Sequence, residues 1–375
     1  MHVDLGEAPR RWTRAAPPAG WMALGMLVVL SAIHGYVLPA PTCTAQRNAS
    51  ISALPVPRFF GPLSSDARSR RTTACLASEA AAEDAATQGA KAGGKSMELS
   101  ALTRYPIKAT RGEMLMSAAL TPEGVTGDRR FIVADASGRG LTQRDMPLLA
   151  TLEARTSGDM LELRAGGRAL NVSVRTSGPL VSTTLFGESV RLVDQGSEAG
   201  TWLAGLLGSG GWSAMLPSLL GQPPFRLLRA PGEMPNGNLR RGAGLSDQSP
   251  LHLLCQESID GLNARRAAEG KPPVPIDRFR PNLVVTGCEG PHVEDTWRTV
   301  QIGGATLQVT HPCPRCTVPD VVQQTGRVDT PDLGPMKSLR DYRARARAGV
   351  LFGVYMRVVT TGASVRVGDP VSVEA

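Results

Sequence analysis

The sequence predicts a β-rich α+β chain of barrel type, and three observations carry that expectation. From Met97 onward, short segments alternate apolar and polar residues at every second position, as half-buried strands do. They are RFIVAD, DMLELRA, ALNVSV, SVRLVD, ATLQVT and SVRVGDPVSV. Between them lie turn-forming runs, among them DASGRG, TSGD and AGGR, which suit hairpins. Helical periodicity is rarer and clearest in SEAGTWLAGLLG and SPLHLLCQESIDGLNARRAAEG, the second opening at Ser249-Pro250 and closing at Gly270. Many short strands with a few helices fit a barrel-rich architecture.

At 375 residues, 42% of them hydrophobic, the chain is long enough for more than one domain and a substantial core. Its formal net charge is +8, from 41 Lys and Arg against 33 Asp and Glu. The first 96 residues hold ten of the basic and six of the acidic residues, so the remainder balances at 31 against 27. That small excess argues against nucleic acid as a partner. The densest basic run, RDYRARARAG with Arg340, Arg343, Arg345 and Arg347, has no stacking aromatic beyond Tyr342 and reads as a solvated helix face.

Residues 1–78 read as a targeting leader. Trp21 to Leu38 is an uncharged apolar run behind Arg10, Arg11 and Arg14, the flank of a signal peptide or anchor. As a bilayer span it is marginal, because crossing takes about 20 apolar residues. The segment after it is Arg-rich and Ser-rich with Asp66 as its single acid, the composition of a transit peptide. The two in series fit a bipartite leader to a plastid of secondary origin. The alternative is an N-terminal anchor, with 21–38 held at an organelle membrane such as the mitochondrial outer membrane. The Ala-rich 79–96 reads as a flexible linker. Two domains follow, 97–221 and 222–375, with the boundary placed near Gly221. Cys43 and Cys75 fall in the leader, so the body keeps Cys255, Cys288, Cys313 and Cys316. Four thiols in so large a body make no disulfide framework, and a reducing compartment suits them.

Chemistry concentrates in three places. In HPCPRC (311–316), Cys313 and Cys316 have the spacing of half a zinc site, but a second C-x-x-C or H-x3-H does not occur. A redox pair would want its first cysteine at a helix start after a strand, and Pro312 and Pro314 oppose that. What remains is one exposed thiolate in a Pro-constrained loop beside Arg315, whose guanidinium favours the charged form a soft metal requires. RFRPNLVV sets Arg280 and Asn282 just before a strand, suited to an anion, or else forms an ordinary surface turn. LSDQSP places Asp247, Gln248 and Ser249 at an expected helix N-terminus, either an anion site or a simple cap.

The order of these motifs, with LSALTRYPIKATRGEML, GVTGDRRFIVAD, FRPNLVVTGCEGPHVEDTW and LFGVYMRVV, resembles the MOSC family. The resemblance spans about residues 97 to 374 and covers the two-part form, an N-terminal MOSC β-barrel domain followed by the MOSC domain. Within that family it resembles in particular the mitochondrial amidoxime-reducing components. It implies a molybdenum cofactor (molybdopterin) whose metal is held by Cys316, with Cys313 a neighbour. It implies cofactor contacts from Lys108, Arg129, Arg280 and Asn282, and from Asp247 and Ser249 of the SDQS segment with Gln248 between them; Asp247 could also pass protons. Ala109 and Gln248 stand where the family often has Ser and Thr, and each missing hydroxyl removes a contact worth about 1 kcal/mol.

The activity implied is reduction of a small N-hydroxylated substrate. No Cys follows Cys316 and no Rossmann or flavin fingerprint is present. With no fused heme, flavin or iron-sulfur cluster expected, electrons would come from a separate carrier, in this family cytochrome b5 with its reductase. The alternative is a protein that binds, stores or sulfurates the cofactor without its own reductase turnover.

Overall fold

The computed structural model describes residues 96–185, 187–208, 221, 223–232 and 245–375. The leader 1–78, its apolar segment 21–38 and the linker up to residue 95 lie outside the described residues, as does most of the connection around Gly221. Among the described residues, no helix is long and apolar enough to cross a membrane.

The first part contains β1 (Glu98–Arg104), β2 (Glu113–Leu115), β3 (Ser117–Thr121), β4 (Gly124–Val125), β5 (Phe131–Asp135), β6 (Glu153–Ser157), β7 (Met160–Ala165), β8 (Arg168–Ser173), β9 (Leu180–Leu185), β10 (Glu188–Asp194) and α1 (Ser197–Leu207). The second contains β11 (Phe225–Arg229), β12 (Leu251–Cys255), α2 (Gln256–Ala268), β13 (Leu283–Thr286), β14 (Thr299–Ile302), β15 (Ala305–Pro314), α3 (Pro335–Arg343), β16 (Ala344–Arg345), β17 (Gly349–Val358), β18 (Ser364–Arg366) and β19 (Val371–Glu374). The β-rich α+β expectation holds: five of the six alternating segments fall on β5, β7, β8, β10 and β15, and the sixth, SVRVGDPVSV, on the two strands β18 and β19 with a turn between them. The TSGD and AGGR turns join β6 to β7 and β7 to β8 as hairpins.

The largest sheet runs β19-β14-β15-β17-β12-β13-β1-β2, with β16 beside β17. Its neighbours are antiparallel except β12 and β13, a parallel pair joined through α2. Backbone bonds from Leu99 N to Asp369 O (2.9 Å), Gly368 N to Leu99 O (2.8 Å) and Val371 N to Met97 O (2.9 Å) join the approach to β19 to the start of β1. The sheet thereby closes into a barrel, filled by Leu102, Leu253, Val285, Val300, Leu307 and Met356. A second core lies between the sheet β5-β11-β10-β9, the meander β6-β7-β8 and α1, around Phe131, Leu163, Trp202 and Phe225. Strands cross the expected boundary near Gly221 in both directions. β11, after it, pairs with β5 and β10, while β1 and β3, before it, pair with β13 and β18.

Two local expectations are corrected. The helix expected from Ser249-Pro250 begins only at Gln256, because Leu251–Cys255 is a strand whose five residues are all buried. A short apolar run buried on both faces carries no period that separates strand from helix. The basic run is not one solvated face either: α3 ends at Arg343, whose buried guanidinium donates to Leu351 O (2.8 Å) and Asp295 Oδ2 (2.5 Å). Arg340, Arg345 and Arg347 remain exposed.

Gly200 in α1 gives a test of this packing. A Cβ there would lie 2.3 Å from Phe225 O and 2.8 Å from the Pro223 ring. Gly to Ala normally stabilises a helix by about 1 kcal/mol; here Gly200→Ala should destabilise by about 1–3 kcal/mol, read as a lower urea midpoint with unchanged m.

Candidate functional site

One cleft of about 250 Å³ is lined by Lys108, Arg129, Asp247, Gln248, Ser249, Arg280, Asn282 and Cys316, so the structure brings together all eight residues singled out in the sequence. They arrive from five places: the turn after β1, the turn after β4, the segment before β12, the segment before β13 and the loop after β15. The segment 247–249 precedes a strand, so no helix N-terminus stands behind these three residues, contrary to expectation.

The cations surround one aromatic ring. The Arg129 and Arg280 guanidinium carbons lie 4.6 and 4.3 Å from the centroid of Tyr105, whose hydroxyl donates to Pro281 O (3.1 Å). Burial pushes the Tyr105 phenol up to about 12, so it stays neutral beneath both cations. Lys108 is paired with Asp247 and donates to Leu245 O (2.8 Å). Burial lowers the Lys108 ammonium, offset in part by Asp247. Burial would raise the Asp247 carboxyl, but the Lys108 ammonium holds it below the usual carboxylate range. Arg129 is paired with the buried Asp128. Arg280 has no carboxylate partner among the described residues. Its Nη1 donates to Thr110 O (2.5 Å) and Gln323 Oε1 (3.3 Å), and burial lowers its pKa to about 10.

Asn282 ties the pieces together. Its amide donates to Thr103 O (3.1 Å) and Asp128 Oδ1 (3.2 Å), and its oxygen accepts from Arg129 Nη1 (3.1 Å) and His252 N (3.3 Å). Two donors and two acceptor positions are all used, as a buried amide requires. The backbone is held in unusual conformations around it: Ala109, Arg129 and Arg280 have φ of 68°, 46° and 57°, the left-handed region side chains rarely adopt. Ser249 spends its hydroxyl donor on Met356 O (2.7 Å), and Gln248 reaches His311 Nε2 (3.2 Å).

The two thiols of HPCPRC differ. Cys313 is buried and Cys316 exposed at the cleft. Arg315, expected beside the available thiolate, instead points Nη1 at Cys313 Sγ (3.0 Å) and Nη2 at Phe279 O (2.9 Å). Its buried Nε has no hydrogen-bond partner among the described residues.

Several lining or supporting residues were not anticipated: Tyr105, Asp128, His252, Tyr355 and the mutually bonded Gln143 and Gln323. His252 was the most legible, as the one polar residue inside the apolar run LHLLC. Burial, then Arg315 and Arg129, holds its imidazole well below its ordinary value, and it faces Tyr355 edge-on at 5.7 Å. Gly353, at φ 73°, makes room for it, since a Cβ there would lie 2.6 Å from His252 Nε2.

Comparison with known proteins gives a consistent set of likenesses. Residues 96–210 match the model of the MOSC N-terminal beta barrel domain and residues 241–372 that of the MOSC domain. The chain is 31% identical over 296 residues to mitochondrial amidoxime reducing component 2 of Bos taurus, covering 73% of this chain and 82% of that protein. To the Homo sapiens protein of the same name it is 29% identical over 283 residues, 71% of this chain and 80% of that one. To molybdenum cofactor sulfurase of Oryza sativa subsp. japonica it is 26% identical over 283 residues, 69% of this chain but 32% of that protein.

Two outcomes follow from the geometry. Asn282→Ala leaves Asp128, Arg129 and two backbone groups short of a partner and should cost about 2–4 kcal/mol in chemical denaturation. His252, neutral when folded, takes up a proton on unfolding below about pH 6.5, its ordinary value. Its contribution is therefore complete above that pH and declines below it by up to about 1.4 kcal/mol per pH unit. His252→Gln should flatten the fall in stability between pH 6.5 and pH 5, measured by urea midpoints across that range.

Proposed function

The chain belongs to the MOSC family in its two-part form, with an N-terminal β-barrel domain before the MOSC domain, and from that premise we propose that it is a molybdenum-cofactor-dependent oxidoreductase that reduces N-hydroxylated compounds. The observation that supports this most is the charge arrangement of the cleft. Lys108, Arg129 and Arg280 converge there, and among the described residues carboxylates pair with the first two alone. A pterin carrying phosphate is anionic and fits that imbalance, with both arginines able to donate two bonds each. The exposed thiol of Cys316 at the same cleft is the soft donor that molybdenum takes.

In this reading Lys108, Arg129 and Arg280 bind phosphate and pterin oxygens, while Tyr105 and Asn282 keep the two arginines in place. Cys316 holds the metal and Cys313 does not. Gln248 and Ser249 line the wall, and Asp247, half of whose side chain is exposed beside Lys108, orients water or passes protons. Removal of the N-hydroxyl oxygen as water takes two electrons and two protons. When bound, the cofactor supplies the two-electron centre for that exchange. Electrons arrive from a separate carrier, for which cytochrome b5 with its reductase is the proposed donor. The location is organellar, with the address in residues 1–96. The names of the amidoxime reducing relatives place those proteins in mitochondria.

The likeness to a molybdenum cofactor sulfurase supports a second reading, a cofactor-binding or sulfur-carrier protein without turnover. Turnover separates the two: cofactor-loaded protein with an artificial reductant should convert an amidoxime to its amidine, and loaded protein that fails to do so would favour the carrier. Metal analysis should find molybdenum in wild type and Cys313→Ala but not in Cys316→Ala. Arg280→Gln should lower cofactor retention by about ten-fold, the loss of one charge-assisted contact. Residues 1–96 fused to a fluorescent reporter should label an organelle; diffuse cytosolic signal would remove the address.

A further inference from the structure

We propose that Cys255 and Cys288 are an oxidisable pair, converted by hydrogen peroxide into a disulfide within the chain. Their sulfurs lie 3.1 Å apart, and both thiols are free. Cys255 is the last residue of β12 and Cys288 lies two residues beyond β13, its parallel neighbour, with Cys255 level with Val285. The turn that brings Cys288 across is fixed at two points. Glu257 Oε1 accepts from the Gly287 and Cys288 amides (2.9 and 3.2 Å). Gly287 has φ 83°, and a Cβ there would lie 2.6 Å from Ser96 O. The pair is therefore built by the strand ends and the turn between them, not by chance proximity of two mobile side chains.

The two thiols are unequal in access: Cys255 is buried in the barrel core and Cys288 is partly exposed. Cys288 is thus the sulfur an oxidant meets. Its thiolate attacks the peroxide oxygen, the O–O bond breaks, and a sulfenic acid and one water result. Cys255 Sγ then attacks the Cys288 sulfur, the S–O bond breaks, and the hydroxyl leaves with the Cys255 proton as a second water. Two thiols and one peroxide give one disulfide and two waters, with both sulfurs oxidised and the peroxide reduced. The bond closes the loop containing α2, Arg280 and Asn282, at the ends of β12 and β13 opposite the cleft. It is independent of the proposed activity.

The test uses the 375-residue chain, reduced, desalted, treated with hydrogen peroxide, blocked under denaturing conditions and mapped by mass spectrometry. The expected result is a Cys255–Cys288 linked peptide pair that dithiothreitol separates, with the Tm raised by roughly 5 °C over the reduced protein. Cys255→Ser and Cys288→Ser should each lose both the linked pair and the peroxide-dependent shift in Tm. The proposal is overturned if peroxide leaves Cys255 as a free thiol while Cys288 advances to sulfinic acid, or if Cys288 is found linked to Cys316 instead.

Discussion

Holding three cationic side chains in one cleft, with carboxylates for two of them, is the constraint around which much of this molecule is arranged. Like charges brought this close out of water repel and lose hydration together, so each needs a replacement for the water it has lost. Backbone carbonyls supply part of it, from Leu245 to Lys108 and from Thr110 to Arg280. The ring of Tyr105 supplies more, a neutral quadrupole lying against both guanidinium groups. The strained backbone at Ala109, Arg129 and Arg280 belongs to the same arrangement. Those turns are held open by bonds such as Arg129 N to Tyr105 O (2.6 Å) and Lys108 N to Phe131 O (2.7 Å).

Asn282 couples this cleft to the barrel. Because its amide reaches β1, the turn at Asp128, and the backbone at the start of β12, a displacement of any one is felt by the others. The exchange of strands across the middle of the chain has the same effect at larger scale. β1 pairs with β13 and β3 with β18, strands from the other end of the body, so the cleft residues sit on a frame braced by two cores. Such bracing holds the geometry of the cleft fixed from two sides.

Much of the fold could be read from alternation, and the places where reading failed have physical causes. Leu251–Cys255 carries a helical expectation because a strand buried on both faces shows no alternation. The eight candidate residues that line the cleft are singled out by the order of motifs, not by spacing, since they lie on five segments far apart in sequence. Tyr105 and Asp128 were invisible for another reason. Their roles depend on which cations the fold places against them, and no local pattern encodes that. Arg315 was read for its neighbour in sequence, Cys316, whereas the turn of the chain aims it inward at Cys313.

Barrel closure also sets an order of events. The seam joins Met97 and Leu99 to residues 368–371, so strands at opposite ends of the described body meet only when nearly all of that body is available. The cleft shares this dependence: Lys108 and Tyr355 face the same space from turns and strands separated by most of the body. Contacts of such sequence separation form slowly. A partly synthesised chain would therefore present isolated hairpins such as β6-β7-β8 but no complete cleft, and that space would come into being in one late, cooperative step.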